Sequence, residues 1–266
     1  MYHDKLGERR FGVINWLGLW TLIERECRRF ITVYTQTLIA PLATSVLFII
    51  VFSLALASHR GDINGLPHQH FLAPGIVMMT VVQNAFANTS SSLMIAKVQG
   101  NIVDSLTPPL SSHELVIGFA CGAIFRGFLI AVLATVLIFP FAGITVYNPI
   151  WACFFALVGS FLLGLVGIAA GIWSAKFDHI AAVTNFVIIP LSFLSGTFYA
   201  ASSLPGLWGV LVWYNPIFYL IDGFRFGVLG VSDAAPWASA AVCVTASAMG
   251  YVLCWRMVAT GYRIKS

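Results

Sequence analysis

The residues of this sequence that could do chemistry are a few polar side chains inside long apolar segments. Arg126 is the only charged residue between Leu115 and Ala175, and Asn84 and Asn88 lie within another apolar segment. Polar side chains are costly to place in an apolar medium, so those found there usually contact other helices or bind a molecule. For Arg126 we expect a contact between helices, with binding of a molecule as the alternative. For the two asparagines both functions stay open.

Two further groups of charged or metal-ligating residues are close together in the sequence. Asp222 and Arg225 are three residues apart, a spacing at which helical side chains meet, so we expect an ion pair. Three histidines and one carboxylate share a short segment: His59, Asp62, His68 and His70. Their spacing matches no recognised metal-binding motif, so we expect no metal site. No Ser-His-Asp or paired-carboxylate pattern stands out, and we predict no catalytic residue.

The elements that carry these residues must be membrane helices. Of the 266 residues, 59% are hydrophobic and only 9% are charged, whereas a soluble domain has about 25% charged residues. This composition excludes a soluble enzyme and a disordered chain. The net charge of +4 is too small for a nucleic-acid-binding protein. The five cysteines include no C-x-x-C pair, so neither a zinc site nor a disulfide framework is indicated.

Segments of about 20 or more apolar residues with few or no charges indicate membrane-spanning helices. The sequence predicts an all-α polytopic membrane protein with six such helices, at 32–58, 71–96, 114–142, 149–175, 180–200 and 236–257. The apolar segment 201–235 is divided by prolines and glycines into pieces too short to span, so we predict an external re-entrant helical hairpin, with two full crossings as the alternative. Residues 1–31 are predicted to form a cytoplasmic tail and an amphipathic interfacial helix; the alternative is the start of a longer membrane helix.

Lysine and arginine residues are concentrated on one side of these spans. The positive-inside rule places that side, and with it both termini, in the cytoplasm. The connection 97–110 between the second and third spans is then cytoplasmic. Its residues 101–106 predict a helix of about two turns before a pair of prolines. Ser111 and Glu114 match a capping box at the start of the third span.

Two segments carry motifs that resemble a known family. Residues 71–118 contain the second span, the short cytoplasmic helix and the start of the third span. Residues 186–230 contain the patterns P-L-S-F-L-S-G-T-F-Y and N-P-I-x-Y-x-I-D-G-F-R. Both segments resemble the ABC-2 family of ATP-driven export permeases, and the rest of the chain is similar in hydropathy and order. The resemblance implies a bacterial inner-membrane homodimer that works with two copies of a separate ATPase subunit.

The resemblance also implies functions for individual residues. It makes the segment 97–110 a coupling helix seated in a groove of the ATPase. The residues implied to couple the chain to the ATPase are Asn101, Asp104 and Leu106 in this segment and Glu114 at the start of the third span. It places the substrate path between the second and fifth spans of both protomers. The residues implied to line that path are Met79, Asn84, Phe86, Asn88, Asn185, Phe186 and Ile189.

ATP binding by a P-loop requires the motif G-x-x-x-x-G-K-[ST], and this sequence contains no Gly-Lys pair. We therefore predict that this chain binds no cofactor and that ATP and Mg²⁺ bind to the partner subunit. The expected cargo is a hydrophobic or amphipathic, lipid-like molecule that reaches the chain from the surrounding membrane lipids. One alternative is a permease of the same family for a polysaccharide or glycolipid. The other is an ion-coupled secondary transporter, which usually has acidic residues at mid-membrane.

Overall fold

The computed structural model describes residues 14–56 and 67–263. All regular elements in these two ranges are helical, so the predicted all-α class is confirmed. Both ends of the chain and the loop that contains His59 and Asp62 lie outside the described residues. The predictions made for those segments stay predictions.

The described residues form a succession of α-helices joined by short turns. The α-helices are α1 Trp16–Thr32, α2 Ala40–Leu56, α3 His68–Val98, α4 Ile102–Leu106, α5 Ser112–Ala142, α6 Pro149–Trp173, α7 Phe177–Val183, α8 Ile189–Phe193, α9 Gly206–Tyr214, α10 Pro216–Leu229 and α11 Pro236–Ala259. A π-helical turn at Thr35–Ile39 leads into α2, and a second at Thr184–Ile188 joins α7 to α8. A 3₁₀ turn at Ala201–Ser203 precedes α9.

Five helices of the described ranges are long and apolar enough to cross a membrane: Thr35–Leu54, α3, α5, α6 and α11. They coincide with the predicted first, second, third, fourth and sixth spans. At the predicted fifth span, 180–200, the structure has a shorter helix, Phe177–Phe193. Leu194 caps this helix, and Gly196 in the turn that follows adopts a left-handed conformation with φ +66°. The count of six spans is therefore not confirmed and stays a prediction.

Each of the two π turns is separated by one residue from a proline of the helix that follows it. Pro41 follows the turn Thr35–Ile39 after one residue, and Pro190 follows Thr184–Ile188 in the same way. In each turn the amide of the residue before the proline donates to the carbonyl five residues back. A proline ring clashes with the carbonyl four residues back in an ordinary α-helix. The wider turn therefore accommodates the ring without ending the helix.

Helix α3 is the centre of the bundle. Of its apolar membrane-spanning stretch 78% is buried, against 17% for Thr35–Leu54. It packs against α2, α5, α6 and α10. Glycines of α6 allow the closest approach, since a Cβ added to Gly167 would lie 2.5 Å from the carbonyl oxygen of Phe86. At the same level the Thr89 hydroxyl donates to the carbonyl oxygen of Gly164 at 2.7 Å.

The helix caps on either side of α5 are those that the sequence indicates. The Ser111 hydroxyl accepts from the amide of Glu114, and the Glu114 carboxylate accepts from the amide of Ser111 at 2.6 Å. The capping box is thus confirmed. Asn148 caps α6, with Pro149 as the first helical residue, also as predicted. Gly143, with φ +65°, ends α5 between them.

Helix α1 packs along α5 through a stripe that differs from the predicted one. In the sequence Trp16, Leu19, Ile23, Cys27 and Phe30 recur at helical spacing and predict the apolar face of α1. Trp16, however, is 70% exposed. The buried residues are Leu19, Leu22, Glu26 and Phe30. The stripe includes a carboxylate because Glu26 finds ion-pair and hydrogen-bond partners inside the bundle. The position of α1 at the membrane interface stays a prediction.

The close packing of α3 on α6 predicts that Gly167→Ala destabilises the fold by about 1 to 3 kcal/mol, because the added methyl group must push the two backbones apart. Thermal unfolding in detergent measures this effect. Gly250→Ala is the matched control, since a Cβ there meets only ordinary contacts at 3.6 Å. Equal melting temperatures for the two variants would contradict the predicted close contact.

Candidate functional site

The short helix α4 joins the ends of the two longest helices, α3 and α5, each of 31 residues. Asn101 occupies its N-cap position, and Leu106 is its last residue. Asn101 and Asp104 are exposed, and Val103 is 59% exposed. Asn101 and Asp104 also line a cleft between α4, the end of α3 and the charged face of α1. The predicted coupling segment is thus an accessible helix beside a charged surface.

Glu114 links three segments beside α4. One carboxylate oxygen accepts from the amide of Ser111, and the other accepts from the amide of Asn15 at 2.5 Å. The Asn15 side chain in turn caps α1 by accepting from the amide of Gly18 and donates to the carbonyl oxygen of Pro109. The first turn of α1, the loop after α4 and the start of α5 are therefore held together at one carboxylate, which is only 7% exposed.

The polar residues of α3 bind charged side chains from other helices. The Asn84 side chain oxygen accepts from Nη2 of Arg126 on α5 at 2.7 Å. The Asn88 side chain oxygen accepts from Nη2 of Arg29 on α1 at 3.0 Å, and its carbonyl oxygen accepts from the same atom at 2.6 Å. One turn further, Ser92 donates to Glu26 at 2.9 Å. We call Asn84, Asn88, Arg29, Arg126 and Glu26 the polar layer.

The residues predicted to line a substrate path occupy two different environments. Met79, Phe86 and Asn88 are at most 4% exposed and face other helices of the same chain. Asn185 and Phe186 are exposed, Phe186 to 81%, and Ile189 is half-buried. A single chain therefore does not bring the two sets together around one cavity. Their function as path residues stays a prediction.

Asp222 and Arg225 form the expected pair inside α10, with 3.6 Å between Oδ1 and Nη1. Both are buried. The Asp222 carboxylate also accepts from the amides of Asp233 and Ala234 at 2.8 and 2.9 Å. Arg225 donates to the carbonyl oxygen of Gly196 at 2.6 Å.

The Arg225 guanidinium lies over the ring of Phe71 on α3, 3.8 Å from its centroid. Together with the bond to Gly196, this contact places the cation between α3, α10 and the turn after α8. The pair thus ties α10 to α3, to that turn and, through the amides that Asp222 accepts from, to the segment before α11.

Comparison with known proteins decides which family these features belong to. Residues 18–229 match the family described as ABC-2 type transporter. The chain belongs to this family. The inner membrane transport permease YadH of Escherichia coli (strain K12) is 34% identical over 251 residues, which cover 94% of this chain and 98% of the relative. The protein of the same name from Shigella flexneri shows the same identity and coverage.

A more distant relative is Nodulation protein J of Rhizobium leguminosarum bv. viciae, 24% identical over 225 residues, 82% of this chain and 84% of the relative. The chain is thus a transmembrane subunit of a transporter, a multi-pass permease of the inner membrane. The family implies an ABC transporter system with an ATPase partner.

Three residues that make buried polar contacts in the permease were not identified from the sequence: Glu26, Arg29 and Asp233. Glu26 and Arg29 lie in a charged stretch that reads as a solvated face, but their spacing from Leu22 and Phe30 is that of the buried stripe and could have indicated them. Asp233, whose carboxylate accepts from the amide of Ala201 at 2.9 Å, gave no sequence signal. His68 and His70 lie in the first turn of α3, and the predicted absence of a metal site stays a prediction.

The buried pair of the permease predicts that Asp222→Asn destabilises it by about 3 to 5 kcal/mol, because the buried cation Arg225 would lose its ion-pair partner. Thermal unfolding in detergent measures the change. The double variant Asp222→Asn/Arg225→Met removes both charges and is expected to recover part of the loss. A double variant less stable than the single one would show that the charge itself is not what destabilises Asp222→Asn.

Proposed function

We propose that the chain is the membrane-spanning permease subunit of an ATP-driven exporter, which moves a hydrophobic or amphipathic, lipid-like molecule outward across the membrane. The observation that supports it most is the exposed helix α4 between the ends of α3 and α5. A partner that binds α4 acts directly on the helix at the centre of the bundle. It also acts on α1, because Glu114 joins α1 to the loop after α4.

The energy source in this proposal is a separate ATPase subunit that binds ATP and Mg²⁺. Asn101, Asp104 and Leu106 of the α4 segment are the residues proposed to seat in its groove. The sequence has no Gly-Lys pair and so no P-loop of its own. Both termini are proposed to lie on the cytoplasmic side with α4, in line with the distribution of lysine and arginine.

The proposed assembly contains two copies of this chain and two ATPase subunits. Support comes from an apolar surface on the segment from the second π turn to α9, which is unusually exposed within one chain. Phe186 is 81% exposed and Tyr214 is also 81% exposed, with Trp208 at 58%. Large exposed apolar patches mark contacts with protein or lipid. A second copy of the chain seated on this surface would bring the two Phe186 rings close together.

The cargo proposal follows from the same surfaces. Among the described residues, the candidate path residues supply amides, aromatic rings and a methionine, and no carboxylate. Asp222, a deeply buried acid, is occupied by Arg225 and two backbone amides. An ion-coupled carrier usually has an acidic residue at mid-membrane to bind the ion, so a lipid-like cargo driven by ATP accounts better for this chain.

The coupling proposal predicts that Asp104→Arg abolishes export and weakens binding of the ATPase, because the substitution reverses the charge on the exposed face of α4. Co-purification of the chain with its ATPase subunit measures binding. Asp178→Arg is the matched control, since Asp178 is also exposed in the first turn of a helix but lies outside α4. Full ATPase binding and export by Asp104→Arg would overturn the coupling function of α4.

The homodimer proposal predicts that a single cysteine at position 186, in a chain whose native cysteines are replaced, forms a cross-link between two copies. Val244→Cys on α11, at a residue 50% exposed, is the control on another apolar surface. Cross-linked dimers on denaturing gels after mild oxidation provide the measurement. Cross-linking at position 244 and not at 186 would place the dimer contact elsewhere.

A further inference from the structure

Arg126 is a buried cation whose polar contacts are neutral. It is 6% exposed, and its Nη2 donates to the Asn84 side chain oxygen at 2.7 Å and to the carbonyl oxygen of Thr37 at 3.3 Å. Within residues 14–56 and 67–263 no carboxylate forms an ion pair with it. A guanidinium stays protonated in proteins. Its charge is therefore buried without the counter-ion that such a charge normally requires.

The surroundings of Arg126 add to this positive charge. Arg29 lies close enough to repel it. The carboxylate of this region, Glu26, is shared by Arg25 at 3.2 Å and Arg29 at 3.5 Å. Glu26 is therefore paired with Arg25 and Arg29, and none of the ion pairs in the described ranges includes Arg126. Nε of Arg126 and the side chain nitrogen of Asn88 are both buried without a hydrogen-bond acceptor in the described structure.

Arg126 lies beside the connection between α1 and α2, which is open to the surroundings. Thr37, its carbonyl partner, belongs to the π turn at the start of the first span. Near it, Tyr34 is 53% exposed and Phe125, the neighbour of Arg126, is 49% exposed. The apolar span that follows is 17% buried. A molecule whose apolar tail lies along α2 would have its polar head beside this turn, whose Thr37 carbonyl oxygen contacts Arg126.

We propose that Arg126 and Arg29 form a binding site for the acidic group, a phosphate or carboxylate, of an amphipathic molecule that lies in the membrane beside α2. Guanidinium groups bind such oxyanions through short, charge-assisted hydrogen bonds. The bound anion supplies the counter-charge that the protein lacks, with Asn84 and Asn88 as neutral neighbours. The inference deepens the proposed export function and rests on it for one point: it gives the cargo an acidic head and an apolar tail.

The test measures binding of dodecyl phosphate to the purified full chain in dodecyl maltoside, a detergent with the same tail and an uncharged head. Arg126→Gln is expected to weaken this binding by about tenfold or more. Arg28→Gln is the matched control, because it removes a guanidinium from α1 that is 78% exposed and paired with Glu24. Arg28→Gln is expected to bind as the parent does.

A second variant keeps the test decisive if Arg126→Gln does not fold. Asn84→Asp puts a carboxylate where an amide oxygen now contacts Arg126, so the protein supplies its own counter-ion. This variant is expected to melt at the same or a higher temperature and to lose dodecyl phosphate binding by a similar factor. If Arg126 only joins helices, Asn84→Asp binds dodecyl phosphate as the parent does, and that result overturns the proposal.

Inorganic phosphate distinguishes an amphiphile from a free anion. It is expected not to displace dodecyl phosphate at equal concentration, and equally tight binding of inorganic phosphate would overturn the assignment to an amphiphile. Because the measurement uses the chain without its ATPase, a negative result leaves the export proposal standing. Conversely, loss of coupling in Asp104→Arg leaves the expected binding unchanged.

Discussion

The structure depends on how the polar side chains of α3 are paired inside an apolar bundle. Helix α3 contacts α2, α5, α6 and α10, so several of its polar residues, Asn88 and Ser92 among them, are buried. An unpaired polar group in such a place costs more than the net gain from a typical hydrogen bond. Asn84, Asn88 and Ser92 each meet a charged side chain from α5 or α1. These contacts fix the positions of α1 and α5 on α3. Packing of apolar side chains alone would define those positions less specifically.

The first turns of α3 are held by a different set of contacts. There the cation Arg225 lies over the ring of Phe71 and donates to the carbonyl oxygen of Gly196. The carbonyl oxygen of the next residue, Thr197, approaches Gly75 so closely that a Cβ there would be 2.7 Å away. This pair is neutralised within the protein, because Asp222 lies three residues from Arg225. Helix α3 thus contacts a compensated charge near its start, at Phe71, and an uncompensated one near its middle, at Asn84.

The sequence predicts the fold well where the signal is local. Long apolar segments with few or no charges located five membrane helices, and Ser111, Asn148 and the prolines near them marked helix ends. Prediction from the sequence failed where the structure depends on contacts between distant segments. The burial of Glu26 depends on Ser92, which is 66 residues away, and periodicity along α1 alone cannot reveal it. The extent of the fifth span stays a prediction: in the structure its helix ends at Phe193, and the carbonyl oxygen of Thr197 in the next turn lies close to Gly75 of α3.

The candidate site shows the same division between local and distant signals. The exposed α4 could be predicted because two prolines and a capping box define it locally. The link from Glu114 to Asn15 spans 99 residues and could not. That link changes how α4 can act. Since α1 is held at Asn15 beside the loop after α4 and at Arg29 against Asn88, a displacement of α4 that carries Asn15 with it strains the contact between Arg29 and Asn88. Arg126 bonds to α3 one turn away, at Asn84. Side-chain contacts through α1 and α3 thus connect the loop after α4 with the surroundings of the uncompensated charge.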